Sequence, residues 1–522
     1  MDPTLGRQMA RWAAVFAGLV ILGACARTPG TPPAGSLTGE GPGLEAGRAP
    51  SAAPTTPAGP ADLVITGATL IDGTGAPPRP GTSISIRHGR VMAVASDRDY
   101  EPPEGATVLD AAGKYVIPGL TDLHVHFGLG SDGPRQPDET ERVLARELFY
   151  GVTTILHLGG SDGSTESIRR LRERRSMGSL QAPFIYGTGG HLTLHGTHPV
   201  YTVFPPAVRS AADTLAAATP MSDPVDLYPL GLGLSLVRTE EAARKAVRER
   251  ATGGMDAIKI TVESGPTPFG NDHPQMSVQM IQAIVEEARR HDLRVFAHVT
   301  SLDELEAAFE GGAAGVVHAA RNDPLPDAAL AHQMAAAGFI VIPTLTLFSE
   351  PVDLDDSFLR ATVSEEEVAS LRQPGFAERV RARLECCAPF DDLLASIGML
   401  HRHGVHIGVG TDSGNAFVFP GYSVHRELEL LVQAGLTPTE AIEAATRRAA
   451  EILNAEDEFG TIEPGKRADL LILRANPLED IRHTRSLEVV ISEGQVVDRQ
   501  ALLSSNRAVA ESPPPTDQIP EN

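Results

Sequence analysis

Between residues 116 and 454, short apolar runs alternate with helical ones, and this alternation limits the fold more than any other feature of the chain. The apolar runs are VIPGLTDLHVH, GVTTILHLG, APFIYGTG, MDAIKIT, LRVFAHV, GVVHAA, GFIVIPT and VHIGVGTD. Each has the length and the branched-residue content of a buried strand. Between them lie amphipathic stretches such as SVQMIQAIVEEARRHD and LDELEAAFEGG. Repeated β/α units of this kind predict an α/β fold, a (β/α)8 TIM barrel spanning 116–454, with a doubly wound sheet as the alternative. In a barrel the chemistry sits at the carboxyl ends of the strands.

Those ends carry an unusual set of side chains. The first run ends His124-Val125-His126, and side chains two apart on a strand point to the same side. Two imidazoles, common ligands for zinc and similar metals, are thereby aimed at one point. The fourth run carries Lys259, the fifth ends in His298, the sixth in His318 and the eighth in Asp412. Each group closes an apolar run, so in a barrel all of them converge on one mouth, which is hard to explain as scaffold alone. Lysine usage adds to this. The chain has 44 Lys and Arg residues, yet only Lys114, Lys245, Lys259 and Lys466 are lysine. Arg cannot lose its proton in a protein, whereas a buried Lys can. Either Lys259 does amine chemistry, or it reaches from a strand end to water.

The remaining sequence bounds the surroundings. A formal net charge of -23 argues against nucleic acid as a partner. The three cysteines cannot build a disulfide framework, and Cys386-Cys387 read as helix residues. Residues 1–24 read as an export signal: Arg7 and Arg11 precede the short apolar segment Trp12 to Gly23. Leu22-Gly23-Ala24-Cys25 resembles the bacterial lipobox, in which the Cys is acylated. That implies a lipid anchor on Cys25 in the cell envelope, and Ala26 after the Cys favours the outer membrane. Residues 25–61 form a Pro/Gly/Ala-rich tether, and 503–522 a disordered tail. Short β runs over 62–115 and again over 455–502 suggest one small composite β-sandwich built from both ends of the chain.

VIPGLTDLHVHF, MDAIKIT, VFAHV, VVHA and GVGTDSG, with HRELELLVQAGLTPTEAIEAATRRAAEIL and GTIEPGKRADLLIL, resemble the amidohydrolase superfamily. The resemblance is to its imidazolonepropionase-like and prolidase-like branch, which includes dipeptidases of the Xaa-Pro or Xaa-Arg type. It covers about 62–500 and implies a metal-dependent hydrolase of C–N bonds. It implies that His124 and His126 bind a deeper metal ion and that His298 and His318 bind an outer one. Lys259, N-carboxylated by carbon dioxide, would bridge the two. Asp412 would touch the deeper ion and act as the proton shuttle for a metal-bridging hydroxide. Such a donor set suits two divalent ions, zinc first.

The pattern also departs from the family. Some peptidase members have a Tyr shortly after the strand-5 His, where this chain has Val299-Thr300-Ser301. Carbonyl polarisation would then fall to the outer metal or to a group such as Tyr228. His157 reads as structural, and His425 as a helix-surface or supporting group. The loop His191 to His198, with His191 and His195, is expected to overhang the mouth and line the substrate pocket. The substrate expected is a small amide such as a dipeptide or N-acyl amino acid. The alternatives are a mononuclear cyclic-amide hydrolase of the imidazolonepropionase type, or a non-catalytic surface binding protein.

Overall fold

The computed structural model describes residues 63–127, 137–160, 163–202, 204, 206–263, 265–266, 272–318, 320, 326–375, 388–415 and 417–502. The signal, tether, Cys25, Cys386-Cys387 and C-terminal tail readings lie outside the described residues. Among those residues no helix is long and apolar enough to cross a membrane.

The described residues begin with β1 (Leu63–Leu70), β2 (Arg79–Arg87), β3 (Arg90–Ser96), β4 (Thr107–Asp110) and β5 (Tyr115–Pro118). There follow β6 (Leu120–Phe127), β7 (Val152–Gly160) and β8 (Phe184–Gly187), which pair in parallel. A second parallel group comprises β9 (His191–Leu194), β10 (Val225–Asp226), β11 (Leu234–Val237) and β12 (Ala257–Thr261). After the short hairpin β13 (Gly265–Pro266) and β14 (Asp272–His273), it continues through β15 (Arg294–His298), β16 (Gly315–Val317), β17 (Ile340–Ile342) and β18 (His406–Ile407). Its order is β10-β11-β9-β12-β15-β16-β17-β18, and only the β10–β11 pair is antiparallel. The last strands, β19 (Leu470–Leu473), β20 (Leu487–Ser492) and β21 (Gln495–Val496), return to the start of the chain. They form one sheet with the first five, in the order β21-β20-β19-β5-β1-β2-β3 with β4 beside β1.

The parallel strands are buried on both faces, as near-continuous apolar runs require. Leu156, Leu158, Ala257, Phe296, Val317, Ile340 and Ile342 pack into one cluster with Ile452 and Phe459. Residues of the other parity, including Ile155, Ile258, Ile260, Val295, Ala297, Val316 and Val341, pack with the helices. The helices are locally well specified. The helix Leu302–Glu310 opens on a capping box in which Ser301 and Glu304 satisfy each other's backbone N–H, three residues past His298.

Two sequence expectations are corrected. His191–Leu194 is a strand, not a mouth loop: Leu192 is fully buried and pairs with Ile260 of β12. The four-residue run was too short to read as a strand, and it is neighbouring backbone that makes it one. His425 is not on a helix surface. It is buried, with Nδ1 2.9 Å from Thr484 Oγ1 and Nε2 2.9 Å from the Tyr150 carbonyl.

Candidate metal centre

β6 is the first support of the site, and it is not a plain strand. Its pairing with β7 slips between Asp122 and Val125. Leu123 joins the cluster of Leu156, Phe296 and Ile342, whereas Val125 and Phe127 pack on the other side. A slip of this kind re-aims side chains. Asp122 pins the bend: its carboxylate accepts from His124 N at 2.9 Å, Thr411 N at 3.0 Å and Thr411 Oγ1 at 2.5 Å. Burial outweighs those bonds and pushes its carboxyl up to about 7. The segment after β18 is tied to β6 by backbone bonds Asp412 N to His124 O (2.8 Å) and His126 N to Ser413 O (2.9 Å).

This framework brings His124 Nε2 and His126 Nε2 to 3.0 Å from each other. Asp412 Oδ1 lies 3.4 Å from the first and 3.0 Å from the second. The His318 ring lies 4.9 Å from that of His124, and the ligand-type atoms of His124, His318 and Asp412 fall within 4.8 Å of one another. A metal about 2.0–2.2 Å from each donor sets neighbouring donors about 2.8–3.6 Å apart, a range that holds the spacings found here. Lys259 Nζ and His124 Nδ1 are buried with no hydrogen-bond partner. Orphaned polar atoms in such a place call for a ligand. The donor set therefore fits a divalent ion.

The outer nitrogens of His126 and His318 are committed elsewhere. His126 Nδ1 donates to the Gly159 carbonyl at 2.7 Å, leaving Nε2 for the centre. Gly159 offers that carbonyl from φ +113°, a conformation that suits glycine. His318 Nδ1 is 2.7 Å from Thr344 Oγ1, again leaving Nε2. Thr344, His318 and Asp412 all have positive φ, at 50°, 72° and 63°. For the β-branched Thr344 that is a real outlier. Glu427 holds it there by accepting from Leu345 N, Thr346 N and Thr346 Oγ1.

Electrostatics follows burial. Burial pushes the Lys259 amine down to about 7, against the opposing pull of the Asp412 charge. Burial, then the Lys259 charge, puts His124 and His191 well below the usual imidazole range. Burial raises the Asp412 carboxyl, but the His126 hydrogen bond and the Lys259 and histidine charges outweigh it and hold the group low. A neutral His124 imidazole and an ionised Asp412 carboxylate are the protonation states metal ligation requires.

Other sequence candidates sit elsewhere. His298 stands beside a different pair: its Nε2 is 2.9 Å from Glu263 Oε2, and its ring is 4.6 Å from that of His318. His191 is part-buried, and its Nε2 is enclosed without a hydrogen-bond partner. His195 instead joins Tyr201 and Asp213, at 3.0 Å from each. Tyr228 is corrected as a carbonyl-polarising group, because its hydroxyl donates to the Gly189 carbonyl at 2.6 Å. His157 accepts from Phe127 N at 3.0 Å, a structural bond. Sequence reading missed Glu263, two residues past the run MDAIKIT, Thr344, the last residue of GFIVIPT, and Glu427, on the helix Tyr422–Gln433.

Residues 115–497 match the sequence model of the amidohydrolase family. The chain belongs to the amidohydrolase family. It is 27% identical over 384 residues to an ochratoxinase from Aspergillus niger, covering 70% of this chain and 72% of that one. It is 27% identical over 441 residues to an imidazolonepropionase from Symbiobacterium thermophilum, covering 79% of this chain and 91% of that one. Among solved amidohydrolase structures, a prolidase complexed with N-methylphosphonate-L-proline superposes with a TM-score of 0.63 at 25% identity, covering 83% of this chain and 99% of that one.

Proposed function

We propose that this amidohydrolase is a metal-dependent enzyme that cleaves a C–N amide bond in a small substrate such as a dipeptide or an N-acyl amino acid. The observation that carries the reading is the convergence of His124, His126 and Asp412 at 3.0–3.4 Å around a shared point. The prolidase relative, solved with a proline phosphonate, and the ochratoxinase support an amide substrate. A bound divalent ion supplies Lewis acidity and acidifies water. His124, His126 and Asp412 would hold the deeper ion, with Lys259 as an N-carboxylated bridge and His298 and His318 toward the outer one. Asp412 takes a proton from the attacking water and returns it to the leaving nitrogen. The buried, unpartnered amine of Lys259 is suited to carboxylation, which a guanidinium is not.

We read the parallel strands as one TIM barrel, supported by the β6 bonds to the 409–413 segment, and the mixed-end sheet as its small companion domain. We further propose export and lipid anchoring at Cys25. Release of a Cys25→Ser variant from membrane fractions is the expected outcome, and retention there would overturn it.

The test of the function is metal per chain by elemental analysis of the purified full-length protein, alongside hydrolysis of a panel of dipeptides and N-acyl amino acids. About two ions with amine release is expected. A single ion with turnover of cyclic amides only would favour the mononuclear reading. A protein that takes up no metal after supplementation and hydrolyses none of these substrates would overturn the proposal.

A further inference from the structure

A second cluster of metal-ligating atoms stands beside the first. Glu263 Oε2 lies 2.9 Å from His298 Nε2 and 3.3 Å from His198 Nδ1. The two imidazole rings stack at 4.9 Å with an interplanar angle of 16°. The ligand-type atoms of all three residues fall within 4.8 Å of one another, and Glu263 is 4% exposed. These separations fall within the about 2.8–3.6 Å between neighbouring donors that share one ion at about 2.0–2.2 Å. They repeat the spacing of the His124, His126 and Asp412 set.

The surroundings of Glu263 also differ from those of other buried glutamates. Glu287, Glu429 and Glu443 face arginines. Glu147, Glu304 and Glu427 are held by hydroxyl or backbone N–H donors. Glu263 faces two imidazole nitrogens. Two histidines with one carboxylate form a zinc-type donor set.

We propose that the outer ion is held by His198 and Glu263 together with His298, so that a carboxylate of the chain itself supplements the Lys259 bridge. This rests on the metal-dependent reading above. It adds two ligands that the sequence resemblance does not assign.

The experiment has two arms on the full-length protein loaded with zinc. Zinc per chain is measured for the wild type and for Glu263→Gln and His198→Ala. Zinc anomalous scattering is recorded from wild-type crystals, which needs no variant to fold. Expected are two zinc ions in the wild type, one in each variant, and an anomalous peak about 2.0–2.2 Å from Glu263 and both imidazoles. Two ions retained in either variant, or a second peak beyond bonding distance of Glu263, would overturn the assignment. So would a single wild-type ion at His124 and His126. Each of these leaves the metal-dependent reading standing. No zinc in the wild type would overturn both.

Discussion

Thr344 and Asp412 show how single side chains set this centre. Asp412 is the one ionised carboxylate within 3.4 Å of both His124 and His126 Nε2 among the described residues. Asp412→Asn keeps an oxygen donor but cannot take a proton. It is expected to lower kcat about 10²–10⁴-fold, with zinc per chain largely retained. Steady-state kinetics with elemental analysis checks this, and unchanged turnover would remove the proton role. Thr344 acts one bond further out, through its 2.7 Å contact with His318 Nδ1. Thr344→Val keeps the shape but frees the ring. A roughly 10–100-fold loss of zinc affinity is expected in a chelator competition. The ligand-type residues could be read from the sequence because each ends an apolar run. Thr344 ends a run as well, but a threonine there reads as ordinary strand sequence, and Glu263 and Glu427 lie off the strand ends; what each does depends on partners distant in the chain.

At the scale of elements, the ends of β6, β17 and β18 are held by buried carboxylates. Glu427, on the helix Tyr422–Gln433, reaches the turn after β17. Burial pushes its carboxyl from 4.5 up to about 7, despite the Thr346 and Leu345 bonds. Between those values the folded state binds more protons than the unfolded state, so this group's contribution to stability is full below about 4.5 and is lost as pH rises through about 7. The loss is on the order of 3 kcal/mol. Glu427→Gln is expected to flatten the decline in unfolding free energy between those pH values. Denaturant titrations of the metal-free protein at several pH values test it, and an unchanged slope would remove Glu427 as the cause. The eight strands foreseen over 116–454 are all present. The slip in β6 and the strand status of β9 were hidden, because register is decided by the neighbouring strand.

Across the whole molecule, Arg467 joins the returning C-terminal segment to the central strands. It pairs with Asp469, donates to Thr154 Oγ1 at 2.8 Å, and lies 3.4 Å over the Phe184 ring. Both members of the pair are under 10% exposed, at 8% and 5%. Arg467→Ala would leave Asp469 buried beside an uncompensated gap. A loss of about 3–5 kcal/mol in unfolding free energy is expected by chemical denaturation. A change under about 1 kcal/mol would mean the two regions are held by apolar packing alone. Strand patterning at both ends suggested that those runs belong together, and the sheet order pairs β19 with β5. The sequence carried no sign of which side chain fastens them to the centre.

The left-handed backbone of Thr344 sets durability against affinity. A β-branched residue at φ 50° is strained, and glycine there would relax the turn by about 1 kcal/mol while discarding the hydroxyl that orients His318. Stripped of metal, Thr344→Gly should melt at a higher temperature than the parent. With metal present the order should narrow or reverse, because the parent gains more from binding. Selection for heat resistance alone would therefore drift toward a sturdier protein with a weaker grip on its ion, and a chelator in the same screen would oppose that drift.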